Sequence, residues 1–347
     1  MTARVTLSDV AREAGVSLAT ASRAINGSAN RTVRPELRAR VLTAAARLRY
    51  TPDATAQAMA RGRTTSVGLV VHDVTDPSCA ALVAGVVGVA DASDLQVTLA
   101  CAQHEAAREI ELVRVLQRQR ARAVVVAGPR HDDDVADDLL RQALADYVAA
   151  GGAAVVVGTA GLGVDAVVVD DVGGADALAH ALHALGYRQP AVLGGPRTHL
   201  ASQTRRDAFS RAFGALGCPV DPAHVVLGDL THEGGATAMR ELLARRRPVD
   251  VVLAVDDVLA LGALAAARAL GVRVPQDVAL TGFDDVLTLR DVVPQLTTVR
   301  VPHGDVGRCA ALLALDERPR TGARVLTVDT EVLLRASTPD RSGRAVA

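Results

Sequence analysis

Carboxylates follow three short apolar runs of this sequence, where they could accept hydrogen bonds from the hydroxyl groups of a ligand. The runs cover residues 67–71, 250–255 and 278–283. An arginine close to the start of a later helical stretch, Arg205 or Arg206, would add paired N–H donors to such a site. Each aspartate alone could instead cap a helix or lie in solvent, but together they predict a polar ligand site. They are Asp73, Asp76, Asp256, Asp257, Asp284 and Asp285.

Alternating strands and helices would bring these side chains together. Buried-strand runs alternate with helical stretches such as 105–120 and 202–216, which predicts an α/β protein with parallel sheets covered on both faces. Nine strands are too many for one sheet, so we expect two doubly wound lobes. A ligand would then bind beyond the carboxyl ends of the strands. The predicted strands are 67–71, 96–101, 123–128, 153–158, 166–170, 191–195, 224–229, 250–255 and 278–283.

The N-terminal stretch "DVAREAGVSLATASRAING" predicts different chemistry. Thr6 and Asp9 form a capping box for a helix from Leu7 to about residue 14, and Gly15 provides the left-handed turn that ends it. Ser17 can cap a second helix, about 18–25, and a third follows at about 35–49. Two short helices joined by a glycine turn predict a helix-turn-helix.

The second helix would enter the DNA major groove with its N-terminal residues at the base edges. Arg23 can donate a bidentate pair to guanine, whereas Leu18 and Ala19 can only touch methyl groups or exclude a base. Thr20 and Ser22 could bind phosphate. A three-helix cap without a ligand is the alternative.

Charge distribution favours DNA over a purely structural cap. Residues 1–64 hold 11 arginines and four acids, whereas the rest of the chain holds 27 basic and 35 acidic residues, for a net charge of −1. A basic head on an acidic body indicates a polyanionic partner for the head.

The segments "VTLSDVAREAGVSLATASRAING" and "RVLTAAARLRYTPDATAQAMARGRTTSVGLVV" resemble the headpiece of the LacI/GalR family of transcriptional regulators. The resemblance implies a hinge helix at 51–64, with Met59 at the position of the leucine that enters the minor groove. It also implies a body with the fold of type I periplasmic binding proteins. The candidate DNA-binding residues are Thr6, Ser17, Leu18, Ala19, Thr20, Ser22, Arg23, Asn26, Tyr50, Ala56 and Met59.

The same resemblance assigns effector-contacting roles to Arg205, Asp256 and Asp284, with Ala208 in place of the usual glycine of "R-x-x-G-F". The family's "N-P-F-F" is replaced by "DPSC", and Leu230 stands where an aromatic residue often follows "G-D". A sugar would lose stacking surfaces here, so a carbohydrate effector is expected from the family alone. The candidate effector-binding residues are Asp73, Asp76, Ser78, Arg205, Asp256 and Asp284.

These features predict a homodimeric transcription regulator, most simply a repressor, that binds a pseudo-palindromic DNA operator. The alternatives are a solute-binding protein or an α/β enzyme with a structural N-terminal cap. No catalytic motif, metal site or cofactor is expected, and the histidines are interpreted as surface or helix-cap residues. Dispersed cysteines and the lack of a signal peptide or transmembrane run favour the cytoplasm.

The expected boundaries divide the chain into a headpiece, a linker, a two-lobed body and a tail. The headpiece covers 1–50, the hinge 51–64, the effector-binding and dimerisation domain 65–338, and the tail 339–347. Within the body, the predicted N-lobe takes about 65–169 and 300–324. The predicted C-lobe takes about 170–299 and 325–338.

Overall fold

A computed structural model describes residues 5–26, 33–51, 64–318 and 322–342. The chain divides into two compact units, Met1–Thr65 and Ser66–Ala347. The predicted hinge residues Ala56 and Met59 lie outside the described residues.

The first unit is a three-helix headpiece. Its helices are α1 (Leu7–Glu13), α2 (Leu18–Asn26) and α3 (Pro35–Arg47). The predicted capping box is present: the Asp9 amide donates to Thr6 Oγ1, and the Thr6 amide donates to Asp9 Oδ2 at 3.0 Å. Gly15 has φ +60°, the left-handed conformation that a tight turn after α1 requires. Small side chains let the helices approach closely around a core of Val10, Ala14, Ala21, Ala24 and Val41.

The second unit begins with a lobe built on a parallel sheet. Its strands are β1 (Ser66–Val71), β2 (Gln96–Cys101), β3 (Ala123–Ala127), β4 (Ala153–Val157) and β5 (Asp165–Val169). The connecting helices are α4 (Pro77–Ala92), α5 (Ala106–Arg118) and α6 (Asp134–Ala149).

The second lobe repeats this alternation around a four-stranded sheet of order β7-β6-β8-β9. Its strands are β6 (Pro190–Gly194), β7 (Val225–Leu227), β8 (Val251–Ala254) and β9 (Ala279–Thr281). Its helices are α7 (Asp171–Ala184), α8 (Leu200–Ala215), α9 (His232–Ala244) and α10 (Asp257–Ala269).

Three crossings join the lobes. The first runs from β5 into α7 at 169–171, and the second from β10 (Thr298–Arg300) into α11 (His303–Leu315). The third runs from β11 (Val325–Val328) to β12 (Glu331–Leu333), which pairs antiparallel with β10. Each of the nine predicted strand runs overlaps an observed strand, and the α/β fold class is confirmed.

One predicted boundary is wrong. Residues 325–328 were expected in the second lobe, but β11 adds to the first sheet by pairing parallel with β5. The order of that sheet is β11-β5-β4-β3-β1-β2. The chain therefore crosses to the second lobe only after residue 328, because residues 325–328 are hydrogen-bonded to the edge of β5 in the first lobe.

Candidate DNA-contacting face and effector site

The exposed side of α2 carries the residues predicted to contact DNA. Ser17, Leu18 and Ala19 are exposed, whereas Ala21 and Ala24 are buried against the other two helices. The Thr20 amide donates to Ser17 Oγ at 3.1 Å, so Ser17 caps the helix as predicted. The start of α2 therefore presents small and apolar side chains outward.

The remaining headpiece candidates have mixed environments. Arg23 Nε donates to the Ala19 carbonyl at 2.9 Å, so this guanidinium lies beside the exposed N-terminal turn of α2. Asn26 Nδ2 donates to Ser22 Oγ at 3.3 Å on the same helix. Thr6 is exposed at the start of α1. Tyr50 is only partly exposed and packs against the headpiece core, which gives its ring a structural role there.

Arg205 on α8 is the centre of the polar cluster in the second unit. Its Nε donates to Asp171 Oδ1 at 2.8 Å, and its Nη1 donates to the Val255 carbonyl at 2.9 Å. Nη1 and Nη2 donate to the two carboxylate oxygens of Asp284 at 3.2 and 3.1 Å. The guanidinium also lies 4.0 Å above the centre of the Phe283 ring. This arrangement fixes Arg205 in one orientation.

Asp284 connects that arginine to the second crossing. The residue has φ +115°, and its amide donates to the Val299 carbonyl at 2.7 Å. His303 Nε2, at the start of α11, lies 3.4 Å from Asp284 Oδ1. The charges of Arg205 and His303 outweigh the effect of burial and lower the pKa of Asp284.

Asp256 is a part-buried cap at the start of α10. Its Oδ1 accepts hydrogen bonds from the Val258 and Leu259 amides, at 2.7 and 3.2 Å. Burial, and next the negative charge of Asp284, raise the pKa of Asp256 to about 7. Asp76 of the first lobe also raises this pKa through its charge, so the two aspartates act on the same region.

The first-lobe candidates are tied into turns. Asp76 caps α4, and its Oδ1 accepts from both the amide and the hydroxyl of Ser78, at 2.8 and 2.6 Å. Asp73 accepts from the amide and hydroxyl of Thr75, which together lower its pKa. Asp73 makes no contact with the Arg205 cluster among the contacts of the described residues, whereas the charge of Asp76 reaches Asp256.

The sequence also offered Asp257, Asp285 and Arg206 as candidates for the ligand site. Their burial and their ion pairs decide against them. Asp257 is fully buried, accepting from the Val286 amide and the Thr298 hydroxyl, both at 2.8 Å. Asp285 pairs with Arg300 and Arg335, and Arg206 pairs with its neighbour Asp207. Asp257 and Asp285 are bonded to neighbouring segments of the second lobe and Arg206 to the adjacent residue, so the Arg205, Asp256 and Asp284 set remains the candidate site.

Sequence reasoning missed several polar partners. Asp171 lies two residues after the end of strand β5, so its place near the carboxyl end of a strand was an available signal. His72 had the same signal, because it directly follows β1, whereas His303 had no comparable one. His72, expected near the surface, lies in the first lobe with its Nε2 2.9 Å from Glu109 Oε1. Arg130 pairs with the same carboxylate.

Among the described residues, no group of three or more histidine, cysteine and acidic side chains is placed to hold a metal ion. Within the same residues, no helix combines the length and apolar character needed to cross a membrane.

A helix-turn-helix unit followed by a two-lobed α/β unit with a polar cluster at the lobe crossings defines a ligand-responsive DNA-binding regulator. The model of the lacI family of bacterial regulatory proteins matches residues 6–53, and that of the periplasmic binding protein-like domain matches residues 179–338.

The similar proteins are transcription regulators. The HTH-type transcriptional regulator GalS of Salmonella typhimurium is 34% identical over 90% of this chain and 89% of its own length. The regulator CelR of Thermobifida fusca is 34% identical over 96% of this chain and 98% of its own.

Solved structures agree with this similarity. The CelR–cellobiose complex has a TM-score of 0.70 at 33% identity, covering 96% of this chain and all of that one. The lac repressor dimer bound to operator and the anti-inducer ONPF has a TM-score of 0.84 at 24% identity, over 97% and 100% of the two chains, which is a likeness of fold.

The chain belongs to the lacI family of bacterial regulatory proteins and is a helix-turn-helix transcription regulator rather than an enzyme.

Proposed function

We propose that this regulator is a homodimeric repressor whose operator affinity changes when a carbohydrate binds near Arg205. The observation that carries the proposal is the double pairing of Arg205. Asp171 stands at the first crossing, and Asp284 stands 3.4 Å from His303 at the second. A ligand that engages this cluster would alter contacts at both crossings.

Hydroxyl groups suit the cluster chemically. The Asp256 and Asp284 carboxylates accept hydrogen bonds, and Arg205 donates them. Cellobiose is the ligand in the CelR complex, a relative at 33% identity, which supports a carbohydrate here. The replacement of the aromatic positions by Ser78, Cys79 and Leu230 favours a ligand held by hydrogen bonds rather than by stacking.

Ligand binding would act as a shift between two lobe arrangements. A ligand shifts such an equilibrium only by its difference in affinity for the two states. Allosteric couplings of this kind are typically ~1–3 kcal/mol, or about 5- to 150-fold in operator affinity.

We assign recognition of the operator bases to α2. Arg23 would contact guanine, Thr20 and Ser22 phosphate, and Leu18 and Ala19 base methyl groups. Two headpieces on a two-fold axis would read a pseudo-palindromic operator. Ala56 and Met59 are proposed to contact the minor groove between the half-sites.

The first test is selection of an operator from random duplex DNA, followed by fluorescence-anisotropy titration of wild type and Arg23→Ala. Loss of one bidentate base contact costs ~1–3 kcal/mol at its own position, so Arg23→Ala should relax the preference at one base pair. Arg12→Ala removes the same charge from α1 and should weaken binding to all sequences alike. Unchanged base preference in Arg23→Ala would refute the assignment.

The effector is sought by repeating the titration with cellobiose, galactose, ribose, sugar phosphates and nucleosides. A ligand that changes operator affinity in wild type but binds Asp256→Ala at least tenfold more weakly supports the site. A ligand that acts equally on both proteins would move the site elsewhere.

A further inference from the structure

The two lobes also touch each other away from the crossings. Asp132 donates its amide to the Thr198 carbonyl at 2.8 Å, and Leu200 donates its amide to the Arg130 carbonyl at 3.0 Å. Between these bonds, His131 and His199 form an antiparallel bridge. Their imidazole rings meet edge to face, with centroids 5.6 Å apart. We call residues 130–132 and 198–200 the clasp.

The clasp joins the two lobes at a distance from the crossings. Its halves follow β3 and β6. In the first sheet β4 separates β3 from β5, where the first crossing begins, and in the second sheet β8 separates β6 from β9. With strands about 4.8 Å apart, each half lies about 10 Å from the crossing edge of its sheet. Opening of the lobes about their crossings would therefore break the clasp.

Each half of the clasp is anchored in its own lobe. The Arg130 side chain is 92% buried and pairs with Glu109 on α5, and its Nη2 lies 3.2 Å from His72 Nε2. His199 is the N-cap of α8, where its Nδ1 accepts the Ser202 amide at 3.2 Å. The Nδ1 atom can accept this bond only while it carries no proton.

The groups that face the two rings repel an additional positive charge. His72, His104 and Arg130 face His131, and only Asp133 favours its protonation. His104, His131 and Arg205 face His199. Burial is the largest cause, and it lowers the pKa of His131 and brings the pKa of His199 to about 4.

We propose that the clasp is a pH-sensitive latch that holds the lobes closed only while His131 and His199 are uncharged. In the open arrangement both rings regain water and titrate near 6.5. The open form then binds more protons than the closed form, so closure is fully supported above about pH 6.5 and weakens as pH falls towards 4. At pH 5.5 His199 should favour opening by about tenfold relative to pH 7.5, and His131 should add to this effect in the same direction.

Hydrogen exchange of the full-length protein without ligand measures the latch directly, because the Asp132 and Leu200 amides are its two donors. Peptides covering 129–134 and 197–202 are followed from pH 7.5 to 5.0, after correction for intrinsic exchange rates. We expect protection of both peptides to fall together, by at least about tenfold at pH 5.5. Peptides from β3 and β6 should keep theirs.

Variants separate the two rings from other titrating groups. The double change His131→Asn/His199→Asn keeps a side-chain oxygen to cap α8 and should make protection independent of pH. His180→Asn, at an exposed histidine on α7 outside the clasp, should behave as wild type. Flat protection in wild type, or an unchanged pH dependence in the double variant, overturns the proposal.

Should the double variant fail to fold, a histidine NMR titration of the wild-type chain decides the question. Values for His131 and His199 clearly below 6.5 support the latch, and ordinary values refute it.

Discussion

Arg205 shows how one side chain can serve both the fold and a ligand site. Its charge is matched by Asp171 and Asp284, and among the described residues no salt bridge is formed by the neighbouring Asp256. Burial, and next the negative charge of Asp284, raise the pKa of Asp256. The cluster therefore favours a ligand that donates hydrogen bonds over one that carries negative charge.

Arg205→Lys tests the paired geometry while keeping the charge. A lysine cannot bond Asp171 and both oxygens of Asp284 at once, so we expect at least a tenfold loss of effector affinity. Operator affinity without effector should stay within about threefold of wild type. Isothermal titration and anisotropy measure the two quantities. Arg206→Lys, one residue away, is the control, and equal effects of both changes would contradict the assignment.

Asp256→Asn tests the raised pKa. Between about pH 4 and 7 the folded chain holds a proton on Asp256 that the unfolded chain has released, so this group's contribution to stability falls as pH rises through that window. Asparagine keeps the cap of α10 but does not titrate. We expect its gain in unfolding free energy over wild type to grow from pH 5 to 8 in urea titrations. A gain that is constant across this range would refute the raised pKa.

The sequence located Asp256 and Asp284 because they follow apolar runs, and the family resemblance linked both to Arg205, but it missed Asp171. It did not locate His303, whose position depends on how the chain returns to the first lobe. Nor did it locate the buried pairing of His72, Glu109 and Arg130. Glu109 lies in a helical stretch rich in charged residues, where a solvent-exposed side chain is expected. Its burial follows only from the packing of α5 against β1.

At the scale of elements, the helix that follows the second crossing packs tightly on α4. A Cβ atom added at Gly85 would lie 2.1 Å from the Gly304 carbonyl oxygen, and one at Gly307 would lie 2.1 Å from the Leu82 carbonyl oxygen. The backbones of α4 and α11 therefore approach too closely for larger residues. This contact joins the element that carries His303 to the first lobe.

Gly85→Ala should destabilise the second unit by ~1–3 kcal/mol, because an added methyl group forces the two helices apart. Gly88→Ala on the same helix is the matched control, since a Cβ there meets no atom within 4 Å. That change should stabilise the helix by up to about 1 kcal/mol. Thermal unfolding of both variants tests the prediction, which fails if the two melting temperatures change in the same direction by similar amounts.

Periodicity predicted the strand and helix order because central strands such as β3 are apolar throughout and their helices are amphipathic. It failed for β11. That strand is short and largely exposed at a sheet edge, so its pattern does not show which sheet completes it. Edge strands are placed by hydrogen bonding to a neighbour rather than by burial.

At the scale of the whole molecule, the second lobe carries an apolar groove of about 560 Å³ between α10 and the turn that follows Asp285. The proposed homodimer requires a surface on which a second copy of the chain can pack, and this groove offers an apolar one. We propose that it forms part of the dimer interface. Its lining is His232, Leu261, Leu264, Ala265, Arg268, Thr288, Asp291, Val292 and Val293.

Val293→Glu tests this interface without disturbing the fold, because the side chain is 78% exposed in the single chain. A carboxylate buried between two copies would lack a partner, so we expect the dimer dissociation constant to rise at least tenfold. Operator affinity should fall with it, because two headpieces joined in one molecule bind more tightly than separate ones. Analytical ultracentrifugation and anisotropy measure the two effects. Val135→Glu, 70% exposed on α6 and outside the groove, should leave both unchanged. A Val293→Glu protein that stays dimeric at wild-type strength would place the interface on another face.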